Sequence, residues 1–220
     1  MVRCKISGAV RHCQPLVRSV FMFKKIFHRI DPEITYTFSF VLLASALSLI
    51  ASLVLSVESV TLAANPGVKL HCDVSALISC GTVGSHWTAS LLGFPNAFIG
   101  LVAMPVFITL AVAMLSGAKI PKWIMIGGWW GVSSSLIFAG WMFYTSYFVI
   151  GALCPWCLVV SFSSVILWFA WFRFMIVEKH CLLPKKAKRW LYEFAKKDYD
   201  KLAMWAVVVA MAVAIIAKYF

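Results

Sequence analysis

Four of the seven cysteines in this 220-residue chain stand in two pairs whose surroundings suit thiol chemistry. Cys154 and Cys157 form CPWC at the foot of an apolar run. A CxxC at the start of a helix feels the partial positive charge of the helix N-terminus, which stabilises thiolate and makes one cysteine a good nucleophile or leaving group. Pro155 suits an early helical position, where its missing N–H costs nothing, and Trp156 suits a membrane interface. Cys72 and Cys80 bound the segment CDVSALISC. They are too far apart for the short hairpin of a redox CxxC, and their spacing is unlike the close ligand pairs of structural zinc. A four-cysteine zinc site, structural disulfides within the loops and a redox relay are all readings of these residue types. Structural disulfides account well for Cys72 and Cys80. They account poorly for CPWC at a membrane surface, where an exposed disulfide is the labile kind.

The elements that must position these thiols are membrane helices. The chain is 62% hydrophobic and 13% charged, where soluble chains carry about 25% charged residues. A span needs roughly 20 apolar residues, and five stretches meet or approach that: 35–57, 94–115, 123–148, 155–177 and 202–217. The last is short, but Lys201 and Lys218 can snorkel from its ends. An all-α membrane protein is therefore expected. Its net charge of +12 does not point to nucleic acid, because a DNA-binding chain clusters its charge on a solvated face. With five spans, 18 of the 20 Lys and Arg fall in one set of loops or beside it, so the N-terminus is expected in the cytoplasm. Cys72, Cys80, Cys154 and Cys157 then share the outer side, where disulfides persist, while Cys4, Cys13 and Cys181 lie inside as reduced thiols. The basic excess is first a topological signal, with contact to anionic membrane lipid as a secondary effect.

The organisation expected is a basic cytoplasmic segment over 1–34, a four-helix domain over 35–177, a basic cytoplasmic linker over 178–201 and a fifth transmembrane helix over 202–220. No cleaved signal peptide is evident in the first 30 residues, so the first span serves as an uncleaved anchor. Met22 opens MFKKIFHRIDPE and offers a second candidate start. The spans hold essentially no ionisable residue at mid-depth, which argues against a proton pump or an ion channel. Gly127 and Gly131 of GGWWG have the spacing of close helix approach, read as packing inside the bundle.

The chain resembles the vitamin K epoxide reductase family, and specifically its bacterial members that regenerate periplasmic disulfide catalysts. The resemblance rests on a first span followed by CDVSALISC, GSHW, GFPNAFIG and finally CPWC, and runs from about residue 35 to 175. The other membrane oxidases of this chemistry, the disulfide-bond formation protein B type, carry their CxxC in the first outer loop, unlike this chain. The resemblance implies a four-helix bundle around a quinone, ubiquinone or menaquinone, with CPWC beside the ring and Cys72/Cys80 as a shuttle. A periplasmic thioredoxin-fold protein (DsbA-like) would be the electron donor, attacking Cys72. Cys80 would then attack Cys154, and Cys157 would be released toward the quinone.

Asn96 resembles the family asparagine that hydrogen-bonds a quinone carbonyl; alternatively it satisfies backbone donors at a helix start. Ser85 resembles the family's loop Ser/Thr that holds the shuttle half-helix, with His86 and Thr88 near enough to share that role and a loop-capping hydroxyl as the alternative. Vertebrate members carry a tyrosine one turn after CxxC, where this chain has Ser161; Tyr144 and Tyr147 are substitutes or, alternatively, interfacial belt residues. His71 beside Cys72 is read as an ordinary exposed loop histidine. Many bacterial relatives continue into a fused thioredoxin-like domain, whereas this sequence stops at Phe220, so a separate partner is expected. The competing class is a non-enzymatic scaffold or transporter with disulfide-stapled outer loops.

Overall fold

The computed structural model describes residues 32–75, 77–177 and 185–219. Cys4, Cys13, Cys181 and Met22 lie outside the described residues. Helix α1 (Pro32–Ala64) is followed by a loop, the short helix α2 (Cys80–Gly84) and a 3₁₀ turn (Trp87–Ser90). Helices α3 (Ala97–Leu115), α4 (Lys122–Tyr144), α5 (Pro155–Val177), α6 (Lys185–Lys196) and α7 (Tyr199–Tyr219) complete the chain. By length and apolar composition α1, α3, α5 and α7 can each cross a membrane. Helix α4 is 23 residues long, with Gly, Ser and Trp interrupting its apolar run. The chain is an all-α membrane protein, with large apolar side chains such as Leu43, Val102, Ile137 and Val209 turned outward.

Several boundaries differ from expectation. Helix α1 does not end at residue 57; nothing in VESVTLAA breaks a helix, and it continues until Asn65, Pro66 and Gly67 turn the chain. Its 33 residues reach about 50 Å at 1.5 Å per residue, against roughly 30 Å of hydrocarbon. The 24 residues between Glu33 and Glu58 are uncharged, so these two carboxylates bracket the apolar part. Helix α3 starts at Ala97, three residues later than expected, because Gly93 takes a left-handed turn and Pro95 precedes the helix. The stretch read as a linker contains α6. The third span ends in a π-helical turn, Thr145–Ile150, closed by Gly151 in the left-handed region.

Helix α1 packs along α3 and α5, and α5 also carries α4. The face α1 buries runs Thr37, Phe38, Val41, Ala44, Ser45, Ser48, Ala51, Ser52 and Ser56, at helical spacing and smaller toward its C-terminal half. That taper lets α3 approach closely: a Cβ added to Gly100 would lie 2.3 Å from Ser52 Oγ. Trp171 of α5, fully buried, centres the wider half, edge-on to Phe38 and Phe107 and donating to the Met125 carbonyl at 3.1 Å. The GGWWG glycines pack inside the bundle, but through a different pair from the one expected. Gly128 meets Trp171 and Gly131 meets Phe107, while Gly127 has nothing within 4 Å.

At the end of the bundle near Glu33, Arg173 of α5 is buried among acids. It bonds Asp200 at 2.8 and 2.9 Å, Asp198 at 3.0 Å, the Ala195 carbonyl at 3.1 Å, and Glu33. This cluster ties α1, α5, α6 and α7 together. Asp198, paired first of all with Lys201 at 2.9 Å, is held below the usual carboxylate range.

Candidate functional site

The opposite end of the bundle holds the four cysteines, and the backbone brings them together. Leu77 to Ser79 run parallel to Leu153: Leu153 N–H donates to the Leu77 carbonyl at 2.9 Å, and Ser79 N–H donates to the Leu153 carbonyl at 3.0 Å. Cys80 and Cys154 each come directly after this stitch, so it fixes them side by side. Cys80 opens α2 and Cys154 precedes α5.

Ser79 caps α2, accepting from Thr82 N–H at 3.0 Å. Asp73 holds the rest of the Cys72–Cys80 loop. One carboxylate oxygen accepts from Ser79 Oγ at 2.8 Å and Gly81 N–H at 2.9 Å, the other from Leu70 N–H at 2.9 Å. Partial burial pushes its carboxyl up, but the bonds from the Gly81 and Leu70 amides and the Ser79 hydroxyl outweigh that and hold it below the usual carboxylate range. A Cβ on Gly81 would meet this carboxylate at 2.9 Å.

Cys72 and Cys80 form a disulfide with Cα atoms 5.7 Å apart, while Cys154 and Cys157 are thiols. Cys154 Sγ lies 3.1 Å from Cys80 Sγ. Cys72, Cys80 and Cys154 are buried, and Cys157 is half-buried in the first turn of α5. They sit in an apolar cap with Leu70, Val83 and Ala152, with Leu55 and Trp156 packed alongside. The hydrogen bond with the Cys157 thiol holds Cys154 below the usual thiol range despite its burial. The N–H groups of Cys157, 3.4 Å from its sulfur, and Trp156 add to the effect. The CPWC reading, a thiolate favoured at a helix start, therefore has its geometry here, with Pro155 as the first helical residue.

Asn96 does not cap α3; its side chain turns back to the preceding loop, Nδ2 donating to the Thr88 carbonyl at 2.6 Å and Oδ1 accepting from Leu91 N–H at 3.3 Å. It fastens the 3₁₀ turn to the head of α3 and keeps one amide hydrogen without a partner among the described residues. Ser85 is exposed and donates to the Gly81 carbonyl at 2.7 Å, closing the C-terminus of α2. His86 bonds the Thr88 hydroxyl at 2.9 Å. Ser161 donates back to the Cys157 carbonyl at 2.9 Å. Tyr147 leaves the thiols for α7, donating to the Ala214 carbonyl at 3.2 Å, and Tyr144 is exposed. His71 is exposed.

Two acidic residues escaped the sequence reading. Asp73 stands inside CDVSALISC but looks like any loop aspartate. Glu58 reaches the site because α1 runs on; its carboxylate oxygens lie 3.2 and 3.4 Å from Cys72 Sγ. The signal for it was a lone carboxylate at the end of an apolar helix.

No curated protein matches the chain. A family model does, over residues 39–172, from within the first span into the CPWC helix. With both cysteine pairs inside the matched stretch and gathered at one end of its helices, the chain belongs to the vitamin K epoxide reductase family, a family of membrane thiol oxidoreductases.

Proposed function

We propose that this chain takes electrons from an exported thioredoxin-fold protein through Cys72/Cys80 and Cys154/Cys157 to a quinone, sustaining disulfide formation on the outer side of a bacterial inner membrane. The observation that carries this reading is the 3.1 Å separation of Cys80 Sγ and Cys154 Sγ, with Cys72 bonded to the first and Cys157 bonded by hydrogen to the second. Exchange requires a sulfur to reach a disulfide sulfur, and here each pair offers one member to the other.

A thiolate of the partner attacks Cys72, and the Cys72–Cys80 bond breaks with its electron pair on Cys80. The partner's second thiol then frees Cys72 and leaves the partner oxidised. Cys80 attacks Cys154 of an oxidised CPWC pair, and Cys157 leaves as thiolate. Cys72 attacks Cys80, releasing Cys154, and the shuttle disulfide is restored. Two electrons have moved from the shuttle to CPWC. The low thiol range of Cys154 makes it a good leaving group.

A quinone-type acceptor suits the residues present. Cys157 is half-buried at the mouth of an apolar bundle, and Asn96 has an amide hydrogen to offer a carbonyl oxygen. Such a molecule supplies a sink for two electrons and two protons. Ser85 acts in this reading through the shuttle helix that it caps.

The test is thiol-dependent quinone reduction by the purified chain in vesicles. Cys157→Ala is expected to reduce it to background, while Ser at Cys4, Cys13 and Cys181 leaves it unchanged. Turnover surviving in Cys157→Ala refutes the relay.

A further inference from the structure

We infer that Glu58 is a catalytic residue of the shuttle: it takes the Cys72 thiol proton when Cys72 attacks Cys80 to resolve the Cys80–Cys154 mixed disulfide. This rests on the relay reading above. Both carboxylate oxygens of Glu58 lie against Cys72 Sγ, at 3.2 and 3.4 Å. An oxygen of Glu58, Cys72 Sγ and Cys80 Sγ all fall within 4.8 Å of one another. The carboxylate therefore touches the attacking atom and lies beside the atom attacked. A general base has to be placed within hydrogen-bond reach of the proton it removes, and among the described residues Glu58 supplies the carboxylate in contact with a reactive sulfur.

The other charged neighbours do not compete for this role. Asp73 is spent on Leu70, Ser79 and Gly81, and His71 is exposed; they act on Glu58 with opposite electrostatic signs. Cys154 and Cys157 feel the Glu58 charge from across the stitch, with the Cys154 sulfur turned to Cys80 and Cys157. Glu58 is half-buried at the last charged position of α1, so it has both a desolvated contact with sulfur and an opening to water.

The step balances within the chain. The Cys72–Cys80 bond forms and the Cys80–Cys154 bond breaks. Its electron pair leaves on Cys154, and the Cys72 proton goes to Glu58, which returns it to solvent. A buried thiol resists ionising in apolar surroundings, so Cys72 is a poor nucleophile at neutral pH without a base at this place.

The experiment uses the full chain in nanodiscs with both pairs oxidised. One equivalent of tris(2-carboxyethyl)phosphine is added between pH 6 and 9.5, followed by acid quench, alkylation and peptide mapping. Wild type is expected to resolve the Cys80–Cys154 bond at a rate nearly flat in pH. Glu58→Gln is expected to resolve it at least about tenfold more slowly at pH 7 and to accumulate it. The deficit should close as pH passes the ordinary thiol value of about 8.5. Glu58→Asp should fall between the two. A deficit that is the same at every pH, or none, overturns the role of Glu58 and leaves the relay standing. A wild type that never forms the Cys80–Cys154 bond overturns both.

Discussion

At one end of the bundle a full positive charge, Arg173, is buried among Glu33, Asp198 and Asp200; at the other, Cys72, Cys80 and Cys154 are buried as deeply, the disulfide and thiol themselves uncharged beside the Glu58 carboxylate. A guanidinium cannot give up its proton, so it is tolerated only where carboxylates surround it permanently. A thiol is neutral until it reacts, and a disulfide is neutral always, so sulfur can be buried and still change its bonds. The Arg173 end joins α7 to the bundle and stays fixed. The sulfur end is assembled by backbone contacts between two loops, with carboxylates placed to handle protons and hold amides. The difference shows where this helix bundle can host chemistry: at the end whose reactive groups need no permanent counter-charge.

The strongest way to break this contrast is at Arg173. Arg173→Leu leaves Asp200, whose side chain is 3% exposed, buried without its partner. It should cost about 3–5 kcal/mol in thermal unfolding of the detergent-solubilised chain. Turnover per folded molecule should be retained, because no reactive sulfur touches Arg173. Equal loss of turnover and stability would show that the two ends are not independent.

A smaller effect is expected between them. A Cβ on Gly128 would lie 2.2 Å from the Trp171 ring, so Gly128→Ala should destabilise by about 1–3 kcal/mol through overpacking. Gly127→Ala, with open space around it, should be neutral or slightly stabilising through helix propensity. Measured side by side in the same unfolding assay, the pair sharpens the boundary of the rigid half.

The smallest change is expected in the Cys72–Cys80 loop. Asp73→Asn keeps one acceptor for three donors and should loosen the loop by about 1 kcal/mol, read as faster amide exchange at Leu70 and Gly81. The pH dependence has a definite sign. A carboxyl held below its usual value contributes its stabilisation fully above that value, 3.8, and loses it as pH falls below 3.8 through the depressed value. Wild-type protection of Gly81 should thus be flat through neutral pH and fall only in acid, and the Asn variant should lack that acid limb.

Much of this was legible from residue order. The apolar runs announced the helices, Pro155 announced the start of α5, and the two cysteine pairs announced thiol chemistry. Tertiary partners were not legible. The register of Leu77–Ser79 against Leu153 depends on peptide groups that carry no sequence signature. Glu58 was hidden because the apolar run ends at Val57 while the helix does not, so the expected span stopped one residue short of it. Arg173 looked like a topological marker, since its partners Asp198 and Asp200 lie within the stretch read as linker, at the start of α7. Asn96 was noticed by type, but a helix-start asparagine normally caps forward, and this one reaches back to Thr88.

The stitch between the two loops has one further implication. Because it consists of main-chain amides alone, the stitch itself makes no demand on the side chains at 77, 79 and 153 beyond excluding proline, which would remove a donor at 79 or 153. Of the three, Leu77 is the exposed one, whereas Ser79 and Leu153 are buried, so position 77 is where this loop is free to vary toward whatever it meets outside the membrane.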